Sequence, residues 1–291
     1  MSLSLVAFAS CSDDDKESPS STDNTQTENG GSGDNSGNNG DNSGNTIGDS
    51  DGNGSQSAVS VFKSGTENGH DYVDLGLTSG TRWATANVGA SKPQDYGNYY
   101  AWGETTTKST YSESTYKYFK DGDYHKITKY CSKSSYGYNG FTDTKTTLAL
   151  SNDAAYANWG GKWRMPTQTQ QGELSSECYW VWTESYNNSN VKGFIVYKAK
   201  GEADKGKYVY KGKTPSSSYS LSDAHIFLPA AGYRADGDLY YAGSYGQYWS
   251  SSLDTFYPHC AWRVCFASDG DGNHDGFRCY GEPVRAVISG E

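Results

Sequence analysis

The chain has 291 residues, including 35 glycines and 25 tyrosines, and its mean hydropathy is −0.81. A composition this polar excludes any membrane span beyond the first few residues. Residues 1–57 carry ten carboxylates and one lysine, a net charge of −9, so the total of −10 leaves about −1 for residues 58–291. A nearly neutral domain without a basic stripe argues against nucleic acid as a partner.

The chain begins with a short apolar segment. Residues 1–11 end in Ala9-Ser10-Cys11, which resembles the end of a bacterial lipoprotein signal, where small residues precede a cysteine that becomes lipidated. The acidic run Asp13-Asp14-Asp15 resembles the export signal of surface lipoproteins in Gram-negative gut anaerobes. We therefore expect lipidation at Cys11 and an outer-membrane protein facing outward, in contact with the membrane only through this anchor. A soluble chain with an ordinary cysteine and an acidic tail is the alternative.

Residues 12–57 consist almost entirely of small and polar residues. The sequence of 33–38 recurs at 40–45, and the segment has too few apolar side chains to offset the entropy lost on ordering. We predict a disordered acidic linker with a reach of roughly 35–40 Å, suited to lifting a domain off the membrane. The repeat lacks the nonapeptide period of a calcium-binding β-roll, so we expect no metal there.

Residues 58–291 contain all eight tryptophans and all the tyrosines, enough to bury one core. Short strand-like runs alternate with glycine and asparagine turns. These predicted strands cover residues 72–75, 82–84, 99–102, 193–197, 208–210, 225–228 and 261–266. The acidic and glycine-rich run 269–275 lacks a glycine and a glutamate that a calcium loop requires, and we interpret it as turn residues.

Few segments predict a helix. Residues 147–156 could form one, and the clearest start is at Thr167, whose side chain can cap a helix while Gln170 completes a capping box. The prediction is an α+β domain, with one or two helices against small, mostly antiparallel sheets.

Several motifs of this domain carry a resemblance to one family. They are His70–Leu77, Trp83–Thr85, Asn87–Ala90, Tyr99–Glu104, Trp159–Thr167, Leu228–Arg234 and Tyr248–Ser252. Together they resemble the Fibrobacter succinogenes major paralogous domain family of secreted bacterial domains, over nearly all of 68–288. The resemblance implies a C-type lectin-like fold, in its formylglycine-generating-enzyme-like branch with insertions, and no assigned activity.

The region of about 232–287 interleaves two kinds of sequence. One kind, the frame residues, is Gly232–Arg234, Gly243-Ser244, Tyr248–Ser252, Ala261-Trp262, Arg278 and Val284-Arg285. The other kind is rich in Tyr, Asp and His and follows no hydrophobic period. This pattern resembles the variable proteins of diversity-generating retroelements, in which mutated AAY codons yield Tyr, Asp, His, Ser, Cys, Phe, Gly or Arg. The resemblance implies a diversified, ligand-binding display surface above a buried frame.

We expect the interleaved residues to bind an external protein or glycan from a monomeric domain. The aromatic and polar candidates are Asp236, Asp238, Tyr240, Tyr241, Tyr245, Phe256, Tyr257, His259, Arg263, His274, Asp275, Phe277 and Tyr280. Aromatic rings supply contact area at low entropy cost, and exposed aromatic clusters usually mark interaction sites. The alternative is that these are ordinary sheet residues packing a core. Gln247 and Glu282 do not fit an AAY origin.

Two other functions use different features. Cys260 and Cys265 are similar to the copper-binding pair of formylglycine-generating enzymes, which would imply a thiol oxidase, although the glycine-tryptophan segment before that pair is missing. A fimbrial or structural surface subunit is the second alternative. No histidine lies at a zinc spacing, and no nucleophile elbow or P-loop is present, so we expect no enzyme, metal or cofactor.

Overall fold

The computed structural model describes residues 61–290. The predicted signal remnant with Cys11 and the predicted linker 12–57 lie outside the described residues. Within 61–290 the protein is a sheet-rich α+β structure, as predicted. No helix of this described part is long and apolar enough to cross a membrane.

Sixteen short strands and two α-helices are assigned over 61–290. The strands are β1 (Gly65–Glu67), β2 (His70–Asp74), β3 (Arg82–Ala84), β4 (Tyr99–Tyr100), β5 (Trp163–Arg164), β6 (Cys178–Thr183), β7 (Gly193–Lys198), β8 (Lys207–Val209), β9 (His225–Pro229), β10 (Tyr233–Ala235), β11 (Asp238–Tyr240), β12 (Tyr245–Leu253), β13 (Cys260–Ala267), β14 (Gly270–Phe277), β15 (Glu282–Pro283) and β16 (Val287–Ile288). The helices are α1 (Ala154–Trp159) and α2 (Gln168–Glu177).

The strands form three main sheets. One has the order β1-β2-β3-β16-β5. Strand β16, near the end of the chain, therefore lies between β3 and β5 and pairs with early strands of the domain. A second has the order β8-β6-β7-β9, in which only β6 and β8 are parallel. The third is β12-β13-β14, while β10-β11 and β4-β15 form separate two-stranded ladders.

The prediction that 269–275 forms turns is correct only at Asp269, because residues 270–275 belong to strand β14. The strand pairs with β13 in continuous register from Cys260↔Phe277 to Ala267↔Gly270. Its glycines make room for larger neighbours: a Cβ on Gly276 would lie 2.6 Å from Cζ of Arg263. Glycine and aspartate are therefore tolerated in an edge strand whose partner strand supplies the bulk.

Helix α2 begins as predicted. The Thr167 side chain accepts a hydrogen bond from Gln170 N, and the Gln170 side chain accepts one from Thr167 N at 2.9 Å, which completes the capping box. Helix α1 begins later than expected, after a 3-10 turn at Leu150–Asn152. Asp153 caps it, because its carboxylate accepts from both Tyr156 N and Met165 N.

Residues 104–147, here named the long connection, have only 3-10 turns and isolated bridges between β4 and α1. The frame residue Arg278 attaches this segment to the domain. Its guanidinium donates to the carbonyl oxygens of Tyr130, Pro258 and Lys129 and to the Tyr116 hydroxyl. One fully buried arginine thus satisfies polar groups that the irregular backbone leaves without a ladder partner.

Candidate ligand-binding face

A continuous series of aromatic rings runs across the carboxyl-terminal region. In the β10-β11 hairpin Tyr233 pairs with Tyr240, and the two rings stack with centroids 5.5 Å apart. Tyr241 lies against Tyr245 at 5.1 Å, and Tyr280 stacks on Tyr233 at 5.4 Å. The hairpin and the turn after β14 therefore present one aromatic surface.

The series continues from Tyr280 onto the long connection. Tyr280 contacts Phe277 at 5.8 Å, and Phe277 contacts His259 at 5.2 Å and Tyr124 at 6.0 Å. His259 in turn stacks on Tyr136 at 5.0 Å. We name the whole series the aromatic band: Tyr245, Tyr241, Tyr240, Tyr233, Tyr280, Phe277, Tyr124, His259, Tyr136, His125, Tyr257 and Phe256.

The far end of the band is its most exposed part. Phe256 is 62 % exposed, packs edge-on against Tyr257, and has the Lys133 ammonium 3.9 Å from its ring centre. At the opposite end Tyr241 is 48 % exposed. Each end of the band thus has one strongly exposed ring, of the kind that marks an interaction site. At the Phe256 end a lysine also lies over the ring.

The structure brings most of the predicted binding residues to one surface. Asp236, Asp238, Tyr241 and Phe256 are exposed, and the residues that are half-buried are Tyr240, Tyr245, Tyr257, His274, Phe277 and Tyr280. Burial raises the pKa of Tyr233 to about 12, so this phenol remains a neutral hydrogen-bond donor over the physiological range.

Three predicted binding residues are buried, and the expectation that they contact a ligand directly is wrong. His259 is enclosed by the rings of Tyr124, Tyr136 and Phe277. Asp275 lies within β14, opposite Trp262 of the middle strand. Arg263 lies in the middle of the three-stranded sheet, where strands flank it on both sides.

Arg263 forms a polar cluster that supports the band from beneath. Its guanidinium donates to Gln247 Oε1 at 2.8 Å and forms an ion pair with Glu282, which is fully buried. Burial raises the pKa of the Glu282 carboxyl, and the positive charge of Arg263 opposes that shift. Gln247 and Glu282, the two residues outside the diversification pattern, are thus the partners of this arginine.

Several residues of the face lie outside the predicted binding region. Tyr124, His125, Lys133 and Tyr136 come from the long connection, about 100 residues before the interleaved region of 232–287. Their only signal is the concentration of tyrosines in a segment without strand or helix periodicity. Tyr233 was assigned to the buried frame, but it is half-exposed and stacks between Tyr240 and Tyr280.

The remaining frame residues also include both buried and partly exposed side chains. Arg234 is half-buried and Ser244 is exposed, contrary to the expectation that the frame is covered, while Trp262 is half-buried, at the rim of the core. Trp249, Arg278 and Arg285 are buried as expected. Burial of the frame therefore depends on position: Trp249 lies within β12, and the guanidinium groups of Arg278 and Arg285 are buried where they donate to backbone carbonyl oxygens.

The geometry does not favour copper binding by Cys260 and Cys265. They lie five positions apart on strand β13, which places the side chains on opposite faces, roughly 17 Å apart along the strand. Burial also raises the pKa of the Cys265 thiol to about 12, whereas Cu(I) is bound by thiolates. Within residues 61–290 no three His, Cys, Asp or Glu side chains converge as metal ligands.

No protein-family model, curated protein or solved structure matches the chain significantly.

Proposed function

We propose that this protein is a surface lipoprotein that binds an external protein or glycan through the aromatic band of a C-type lectin-like domain. The observation that carries the proposal is the continuity of the band, from Tyr241 at one end to Phe256 at the other. Exposed rings in a contiguous patch are uncommon on monomeric proteins without a partner.

The energetics of recognition support this function. Each tyrosine or phenylalanine offers a large contact area and has only two side-chain torsions to fix on binding. The rings already contact one another, so much of their ordering occurs during folding rather than during association. Asp236 and Asp238 lie beside the hairpin rings and add exposed hydrogen-bond acceptors at that end.

We also propose that the face is diversified by a retroelement. The support is that the exposed positions Asp236, Asp238, Tyr241 and Phe256 all carry residues that mutated AAY codons produce. The coding DNA tests this directly. A reverse transcriptase gene and a near-identical template repeat, differing mainly at adenines, should lie nearby, and their absence would remove diversification without removing binding.

Binding is tested with glycan and protein arrays probed with the full chain and with two variants. Y241S combined with F256S removes the two most exposed rings of the band. L150A removes a side chain of similar exposure, 44 %, that belongs to no ring contact of the band.

The double substitution should reduce binding to every array ligand by about 2 kcal/mol or more, since aromatic anchors dominate interfaces. The L150A variant should bind like the unmodified chain. If the two variants retain equal affinity, the band is not the binding surface. Selective capture of pilus subunits would instead favour a fimbrial role.

A further inference from the structure

A second candidate site lies outside the aromatic band. An open pocket of about 200 Å³ lies between the end of β4, the long connection and the 3-10 turn before α1. Its lining includes Glu104, Thr105, Thr106, Thr115, Lys117 and Asn152. Most of these groups are polar, and none of them is a residue of the band.

Positive charge accumulates beside this pocket. The Lys129 ammonium donates to Asn152 Oδ1 at 2.5 Å, and it lies 5.7 Å from the centre of the Tyr118 ring. Lys117 Nζ lies at the same distance from that ring. Within residues 61–290 no carboxylate forms an ion pair with Lys117, Lys129 or Lys145.

The acid in the pocket is already neutralised. Glu104 accepts from Lys108 Nζ at 2.9 Å and from the backbone N–H of Lys117, also at 2.9 Å. Burial, together with repulsion from Lys145 and Lys117, lowers the pKa of Lys129. The Asp143 carboxylate opposes this repulsion among the lysines, although its effect on Lys129 is smaller than that of either neighbouring lysine. An anion entering the pocket would relieve the remaining repulsion.

Asn152 fixes this arrangement in the folded state. It is buried, and its amide nitrogen donates to the carbonyl of Gly103 at 3.1 Å and to the Tyr118 hydroxyl at 2.5 Å. Its oxygen accepts from both the Tyr130 hydroxyl at 3.0 Å and the Lys129 ammonium. Because the amide is held on three sides, the ammonium is positioned before any ligand arrives. Preorganised donors of this kind lose little entropy on binding.

We propose that this pocket binds the acidic group of a sugar residue, with the carboxylate or sulfate at Lys117 and Lys129. The threonine hydroxyls of the lining supply partners for the hydroxyls of a sugar ring. The space is larger than a lone sulfate needs, which favours an acidic sugar over a free ion. The site is independent of the aromatic band and does not require the proposed function.

The test is a titration of the full chain, at constant ionic strength, with sodium glucuronate, sodium sulfate, sodium phosphate and glucose, followed by NMR shifts of backbone amides. Glucuronate should produce saturable shifts at Thr105, Thr106 and Asn152. The double variant K117Q/K129Q should bind about tenfold more weakly or worse, since each lost charge-assisted hydrogen bond removes a substantial part of the affinity. K117Q alone, at an exposed position, should show part of this loss.

The matched control is K126Q, which removes a lysine of the same connection that pairs with Asp123 at 3.3 Å. This variant should bind glucuronate normally, as should Y241S/F256S, so failure of this site and failure of the band can be told apart. Equal affinity for sulfate, phosphate and glucuronate would overturn the sugar assignment and leave an oxyanion site. Equal binding of glucose, or unchanged affinity in K117Q/K129Q with native amide spectra, would overturn the proposal.

Discussion

Two tyrosines seven residues apart show how the carboxyl-terminal region serves two purposes. Tyr248 is buried in strand β12, and its hydroxyl donates to the carbonyl of Pro229 at 2.7 Å. Tyr241 is exposed in the turn before that strand, at a positive φ of 56°. The residue type is the same, but strand pairing makes one ring part of the core and turn geometry directs the other to the surface. A buried core and an exposed aromatic surface can therefore share one stretch of sequence.

The frame should be most sensitive at Arg278. Replacing it with methionine leaves three carbonyl oxygens without donors, and we expect a loss of about 4 kcal/mol or more in the free energy of unfolding. Urea denaturation measures this loss. The matched variant R234M removes a half-exposed arginine of the same region, which lies over the Tyr99 ring, and should cost about 1 kcal/mol or less. Equal losses would show that burial does not separate the two arginines.

The next largest effect on stability should come from the polar cluster of Arg263, Gln247 and Glu282. R263M leaves Glu282 buried without its cation and should destabilise the protein by about 3–5 kcal/mol. Adding E282L should recover most of that loss, because the pair is then replaced by apolar groups. Additive effects of the two substitutions, measured by a denaturation cycle, would contradict the ion pair.

A buried histidine in β9 should make the free energy of unfolding of the domain depend on pH. Burial lowers the pKa of His225, whose Nε2 accepts from the Tyr186 hydroxyl at 2.9 Å while Nδ1–H donates to the carbonyl of Asp223. The unfolded chain binds this proton near pH 6.5, before the folded chain does. Stability should thus be full above pH 6.5 and fall below it, by at most about 1.4 kcal/mol per pH unit. The free energy of unfolding, measured by urea denaturation at several pH values, should depend less steeply on pH in H225Q. An identical dependence would show that another group causes it.

The exposed face should respond least in stability. Y241S should change the free energy of unfolding by about 0.5 kcal/mol or less, because the ring is largely in solvent and its turn makes no buried polar contact through it. Thermal unfolding beside Y248S, which removes a core ring, gives the contrast. A large loss for Y241S would place that tyrosine in the core.

Local features were predictable and long-range ones were not. The capping box at Thr167 and Gln170 depends on residues three apart, so the sequence alone reveals it. Strand β14 was missed because its glycines and aspartates favour turns, and only pairing with β13 overrides that preference. Arg263 is buried against Glu282, which lies on a different strand. Tyr124 joins the aromatic band through Phe277, which is far from it in sequence. No local pattern encodes those contacts.

The central proposal is that the aromatic band binds the ligand. Hydrogen–deuterium exchange of the full chain, with and without a ligand selected from the arrays, tests it most directly. We predict slower exchange on binding in residues 236–245 and 254–257 and in the 120–138 part of the long connection, with no change in the sheet of β6 to β9. Protection confined to that sheet, with none in the band, would contradict the account.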